Sequence, residues 1–158
     1  MQIFDELEHT RAALLSVISG LDEATLDRKG FVGEWSAKNT LAHIAAWEEW
    51  VVRALPSRLD SGTTPEDLRA RIADEERFNA EELAEREELT PSEQLIELER
   101  TRAVLLDELR RLDAAVWERR KPWDTWDGTL AEYLRESLIG HEQEHIDGLR
   151  AALAQAQP

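Results

Sequence analysis

Cysteine is missing altogether from the 158 residues, histidine occurs four times, and basic side chains are few: 19 Lys plus Arg against 34 Asp plus Glu, a net charge of -15. Without a thiol, thiolate zinc sites, iron–sulfur clusters, disulfide scaffolds and cysteine nucleophiles are excluded, so a transition-metal site has only imidazole and carboxylate to draw on. The shortage of Lys and Arg argues against a partner whose phosphates must be covered; neither nucleic acid nor an anionic membrane surface is expected. No apolar run approaches the roughly 20 residues that cross a bilayer. The opening MQIFDELEHT carries neither a basic n-region nor an apolar h-region, so no signal peptide is expected and a cytoplasmic location is. At 42% apolar and 34% charged the chain is expected to fold, as one domain over residues 1–158.

What is present reads as helix. Ile3, Phe4, Leu7, Leu14, Ile18 and Leu21 recur at helical spacing, which predicts a first helix over about 2–20, followed by a loop to residue 35. Ser36 is the expected N-cap of a second helix that stops before Pro56, with Thr40, His43, Ile44, Trp47, Trp50 and Val51 on its inward stripe. Thr64-Pro65-Glu66-Asp67 predicts the start of a third helix, thin in apolar residues and peripheral. Thr90-Pro91-Ser92-Glu93 starts a fourth, whose Leu95, Leu98, Leu105, Leu109 and Leu112 form a bundle seam. After a tryptophan-rich connection from Trp117 to Gly128, Thr129 and Glu132 make a capping box for a fifth helix to about Leu153. The expectation is an all-α four-helix bundle with crossover connections and one more peripheral helix.

His141-Glu142-Gln143-Glu144-His145 places two imidazoles at i and i+4, one turn apart on one helix face, where both can bind a single ion. They share a predicted stripe with Leu134, Leu138 and Leu149, and His43 sits on the inward stripe of the second helix. A buried histidine must be neutral and hydrogen-bonded, or else a ligand. Three aimed at one core favour a metal site over three separately satisfied core histidines. His9, beside Glu8, reads as a surface residue. His-x-x-x-His with an internal Glu is also the zinc-protease helix, but the only acid or histidine after His145 is Asp147, which leaves no good third ligand downstream. Glu142 and Glu144 read as solvent-facing acids, with Glu144 the candidate for orienting a ligand.

Gly140 and Gly148 flank the histidine pair; each costs about 1 kcal/mol against alanine inside a helix, so close approach by a neighbour would be one reason for them. The six tryptophans cluster in three places, Trp35 before the second helix, Trp47 and Trp50 on it, and Trp117, Trp123 and Trp126 before the fifth, and Trp35, Trp47 and Trp126 are the candidates for walling a pocket beside the metal.

Glu34-Trp35-Ser36-Ala37-Lys38-Asn39 followed by Leu41-Ala42-His43-Ile44-Ala45-Ala46-Trp47-Glu48 resembles the W-S-x-K-x-x-x-x-H-(I/L)-x-x-W helix start of the DinB-like superfamily, and Gly140 to Ile146 resembles its closing His-x-x-x-His segment. Phe78-Asn79 and the tail from Tyr133 look most like the ClbS/DfsB branch. The resemblance implies a four-helix bundle, often dimeric, in which His43, His141 and His145 bind a divalent ion. Among similar proteins are mycothiol- or bacillithiol-dependent thiol transferases, a maleylpyruvate isomerase and proteins that detoxify a reactive genotoxin. The expectation is therefore a metal-dependent enzyme, with zinc or nickel, acting on an electrophilic small molecule and drawing any thiol from a low-molecular-weight cosubstrate. The alternatives are a metal-free ClbS/DfsB-like bundle that binds or detoxifies a reactive metabolite, and a purely structural bundle.

Overall fold

Three short polar signals open the helices that matter most. Ser36 Oγ accepts from the Asn39 amide at 3.0 Å while Asn39 Oδ1 accepts from the Ser36 amide at 3.1 Å, a reciprocal cap. Thr90 with Glu93 and Thr129 with Glu132 repeat it. The computed structural model describes residues 2–156. In chain order its helices are α1 (Gln2–Ile18), α2 (Glu23–Leu26), α3 (Ala37–Ser61), α4 (Glu66–Arg71), α5 (Glu75–Glu85), α6 (Pro91–Arg110), α7 (Ala114–Glu118), α8 (Leu130–Leu134) and α9 (His141–Ala156). A π-helical segment, Arg135–Gly140, joins α8 to α9. Among the described residues no strand forms beyond a single bridge between Val32 and Trp35.

The all-α expectation holds, with several boundaries corrected. The first helix ends at Ile18, and Gly20 turns the chain with φ 85°. The second does not stop before Pro56. It runs to Ser61 and ends on Gly62 in the left-handed region. Proline lacks the amide that would bond the carbonyl four residues back, but the residues beyond it are anchored: Leu59 packs on the core and the Arg58 guanidinium lies 4.8 Å from the Trp50 ring centre and 5.3 Å from that of Trp123. Arg58 also explains the third start. Its Nε donates to Thr64 Oγ1 at 2.8 Å, so that hydroxyl does not cap a helix, Pro65 becomes an uncapped N-terminus, and the predicted third helix divides into α4 and α5. Asp74 caps α5 by accepting from the Arg77 amide. The short α2 lies in the segment expected to be a loop, and the short α7 lies ahead of the tryptophan-rich connection and overlaps its first residues.

The long helices α1, α3, α6 and the α8–α9 rod enclose two apolar layers. One gathers Leu7, Trp50, Leu105, Leu109 and Leu134; the other gathers Leu14, Leu41, Leu98, Ile146 and Leu149. Between them lies a buried charged layer with one ionic residue from each helix: Arg11 of α1, Glu48 of α3, Arg102 of α6 and Glu142 of α9. Arg11 Nε meets Glu142 Oε1 at 2.7 Å and its Nη2 meets Glu48 Oε2 at 3.1 Å. Arg102 Nε meets Glu48 Oε1 at 2.5 Å and its Nη2 meets Glu142 Oε2 at 3.0 Å. The ring is neutral, and its remaining donors and acceptors are used: Arg11 donates to the Leu98 carbonyl, Arg102 to the Leu7 carbonyl, and Thr101 Oγ1 to Glu48. Desolvating four charges is offset only with this degree of pairing.

Candidate metal centre

Local winding decides where the histidines point. A regular α-helix turns by about 100° per residue, so four successive steps of four residues drift by about 160° around its axis. Yet Leu130, Leu134, Leu138, Glu142 and Ile146 are all buried along the α8–α9 rod. The wider turns of the π segment absorb that drift and keep the residues on one core-facing line. This corrects the predicted stripe: Glu142, only 1% exposed, occupies the core position, and His141 and His145 are rotated one residue aside and half-buried, with His141 at the edge of a cavity. Glu142 is thus no solvent-facing acid. Burial would raise its carboxyl, but the fields of Arg102 and Arg11, with the hydrogen bond from Arg11, hold it below the usual range.

His43 comes to the same edge from α3. Its Nε2 lies 2.9 Å from His141 Nε2, which lies 3.0 Å from His145 Nε2. The three histidines form a group that could hold a metal ion, their ligand atoms all within 4.8 Å of one another. Burial first, then the neighbouring imidazoles His145 and His141, pushes His43 down to about 3. Burial and His141 push His145 down to about 4. Burial also lowers His141, against the opposing fields of Glu144 and Glu142. All three rings are therefore neutral at neutral pH and offer lone pairs.

The donor set fits a cation better than it fits itself. A neutral imidazole nitrogen has one in-plane position, either a proton or a lone pair. His141 Nε2 faces two other ring nitrogens, so one proton cannot bridge both contacts well, whereas an ion accepts all three lone pairs together. His43 Nδ1 is buried without a hydrogen-bond partner among the described residues.

His43 and His141 reach a cavity of about 470 Å³ whose wall includes Trp47, Asn79, Trp126 and Tyr133. Trp47 Nε1 donates to Asn79 Oδ1 at 3.0 Å, and Trp126 Nε1 donates to the Thr129 carbonyl at 2.9 Å. Trp35 packs its ring 4.9 Å from that of His43, centre to centre, but lines a neighbouring cavity with Lys29, Asn39 and Asn79. Glu144 is exposed at the cavity and, among the described residues, makes no hydrogen bond to a histidine. His9 is exposed, as expected. Close approach does not explain Gly148: a Cβ there would meet Val32 Cγ1 at an ordinary 3.7 Å. At Gly140 it would press the Arg135 carbonyl of the π segment at 3.3 Å.

The charged layer, unlike the histidines, is marked in the sequence only by what its helices leave out. The seven-residue gaps Leu7 to Leu14 and Leu98 to Leu105 each hide an arginine at the missing core position, Arg11 and Arg102. Two arginines on apolar stripes require buried acids.

Comparison with known proteins agrees with this architecture. A crystal structure described as an uncharacterised protein from Escherichia coli UTI89 superposes with a TM-score of 0.74 at 14% identity, over 97% of this chain and 91% of that one, a likeness of fold. No curated protein matches. The sequence profile of the DinB superfamily matches residues 6–147, nearly the whole chain. With its helical fold and its grouped histidines from α3 and α9, the chain belongs to the DinB superfamily.

Proposed function

We propose that the protein is a metal-dependent enzyme acting on an electrophilic small molecule, with His43, His141 and His145 as ligands for zinc or nickel. The observation that carries this reading is the convergence of three neutral imidazole nitrogens, from two helices, at the edge of an aromatic-walled cavity. A divalent ion held by His43, His141 and His145 would supply Lewis acidity and would lower the pKa of a water or a thiol in the cavity. The residues of this chain do the rest. The charged layer fixes α3 and α9 in the register that brings the histidines together, Trp47 and Trp126 exclude water from the cavity and position the substrate, and Trp35 buttresses the His43 ring. Glu144, whose field already acts on His141, is placed to steady that ring or to take up a proton. With no cysteine in the chain, a thiol such as mycothiol or bacillithiol enters as cosubstrate. A homodimer in the cytoplasm completes the reading.

Metal analysis of protein purified without an affinity tag tests it, together with consumption of a thiol and an electrophile with and without added metal. One bound ion per chain, lost in His43→Ala and His141→Ala, and turnover that needs it, support the reading. Wild-type protein that takes up neither zinc nor nickel overturns it. The aromatic-walled cavity favours a second reading, a ClbS/DfsB-like protein that binds or detoxifies a reactive metabolite without metal; tight electrophile binding in the presence of chelator supports that one.

A further inference from the structure

We propose that the cavity beside the histidines selects substrates that carry a positive charge next to an apolar or aromatic group, organic ammonium compounds in particular. The inference rests on the preceding reading only in taking this cavity as the binding site. Three carboxylates stand around it on three separate elements: Glu75 at the start of α5, Glu136 in the π segment and Glu144 in α9. No Lys or Arg lines it among the described residues. Elsewhere the chain pairs its acids closely, as Glu49, Glu82 and Glu97 do with Arg86 and Glu6 with Arg135, but among the described residues Glu75, Glu136 and Glu144 form no ion pair.

The wall supplies the second element of cation recognition. Trp47 and Trp126 present ring surface to the cavity, and an aromatic face attracts a cation within about 6 Å of its centre. Arg58 is engaged behind this wall, against Trp50, Trp123 and Tyr133, and does not enter the cavity. Neutral imidazoles add no repulsion. Three carboxylates also outnumber the charge of one divalent ion, so the mouth stays negative when the histidines are loaded.

Benzylammonium, benzyl alcohol and benzoate have matched size and differ in charge, and their affinities are measured by titration calorimetry and tryptophan fluorescence. The expected order is benzylammonium tighter than benzyl alcohol by about tenfold, the combined size of a cation–π contact and partly screened charge, with benzoate weakest. In Glu75→Gln/Glu136→Gln, two exposed changes that leave the fold intact, the preference for the ammonium falls by most of that factor while benzyl alcohol binding is unchanged. Equal affinity for ammonium and alcohol, no ammonium binding at millimolar concentration, or a preference that survives in the double variant overturns the inference. Each titration is run with chelator and with zinc. If zinc does not bind but the preference holds, the metal reading fails and this one stands. If zinc binds through the histidines and the preference is missing, this one alone fails.

Discussion

Arg102 of α6 and Glu142 of α9 meet at 3.0 Å in the interior, and Glu142 directly follows His141, the first of the two histidines of the last helix. The contact ties the histidine pair to the centre of the fold. Through the same layer Glu48, five residues after His43, fixes the third histidine, so the convergence of the imidazoles follows from how the buried charges pair.

That dependence is measurable. Glu142→Gln leaves Arg11 and Arg102 without one counter-charge at a site 1% exposed, and is expected to cost about 3–5 kcal/mol in urea denaturation. Replacing Arg102 and Glu142 together by leucine should cost less than the sum of the two single leucine changes, because neither charge is then stranded.

Metal binding is expected to stabilise the wild type by about 2.7 kcal/mol at a free concentration one hundred times the dissociation constant. His43→Ala and His145→Ala should abolish that gain in thermal denaturation with added zinc or nickel. Both variants should fold without metal, since the ligand side chains carry no part of the charged layer.

Acid should act on the histidines in a defined window. His43 and His145 are held near 3 and 4 in the folded chain, below the ordinary 6.5 of the unfolded one. From pH 6.5 down to about 4 the unfolded state therefore binds protons that the native state does not, so stability falls as pH falls, by about 1.4 kcal/mol per unit for each of the two groups. The stability is fully present above 6.5. Glu142, lowered as well, adds a loss in the same direction at lower pH. Because protons compete poorly for these rings, bound zinc should be retained below pH 6 and released nearer 4, as read by a zinc-sensitive dye.

Gly148→Ala should raise stability by about 1 kcal/mol without changing metal affinity, since the added methyl meets Val32 at ordinary contact distance and the helix gains an alanine. Melting temperature and a zinc titration check both halves.

Pro56→Ala should also stabilise, by about 1–3 kcal/mol, because α3 already runs through this exposed position and the new amide can bond the Val52 carbonyl. An unchanged melting temperature would show that the helix is bent there to suit its packing.

The fold class, the caps at Ser36, Thr90 and Thr129 and the grouping of His43 with His141 and His145 are readable in the sequence because each rests on short-range chemistry: a hydroxyl at a helix start, a four-residue repeat, an apolar stripe; the same signal at Thr64 misleads because Arg58 engages that hydroxyl. What escaped was set by long-range contacts. Nothing local announces that α3 survives Pro56, since Arg58 and Leu59 gain their partners only in the assembled fold. Nor does a period-3.6 reading allow for the π segment, so it put the histidines on the core line that Glu142 and Ile146 occupy.

That segment has a consequence in chain length. The rod from Leu130 to Ala156 holds one residue more than a uniform helix with the same two ends facing the same way, and the surplus falls beside Glu136 and Ser137 in the cavity wall. A chain one residue shorter at this point would wind evenly and leave Leu134 and Glu142 on a common line. It would still present His141 and His145 to His43, with a differently shaped wall facing them. The ligand triad and the contour of the chamber it faces can thus change independently.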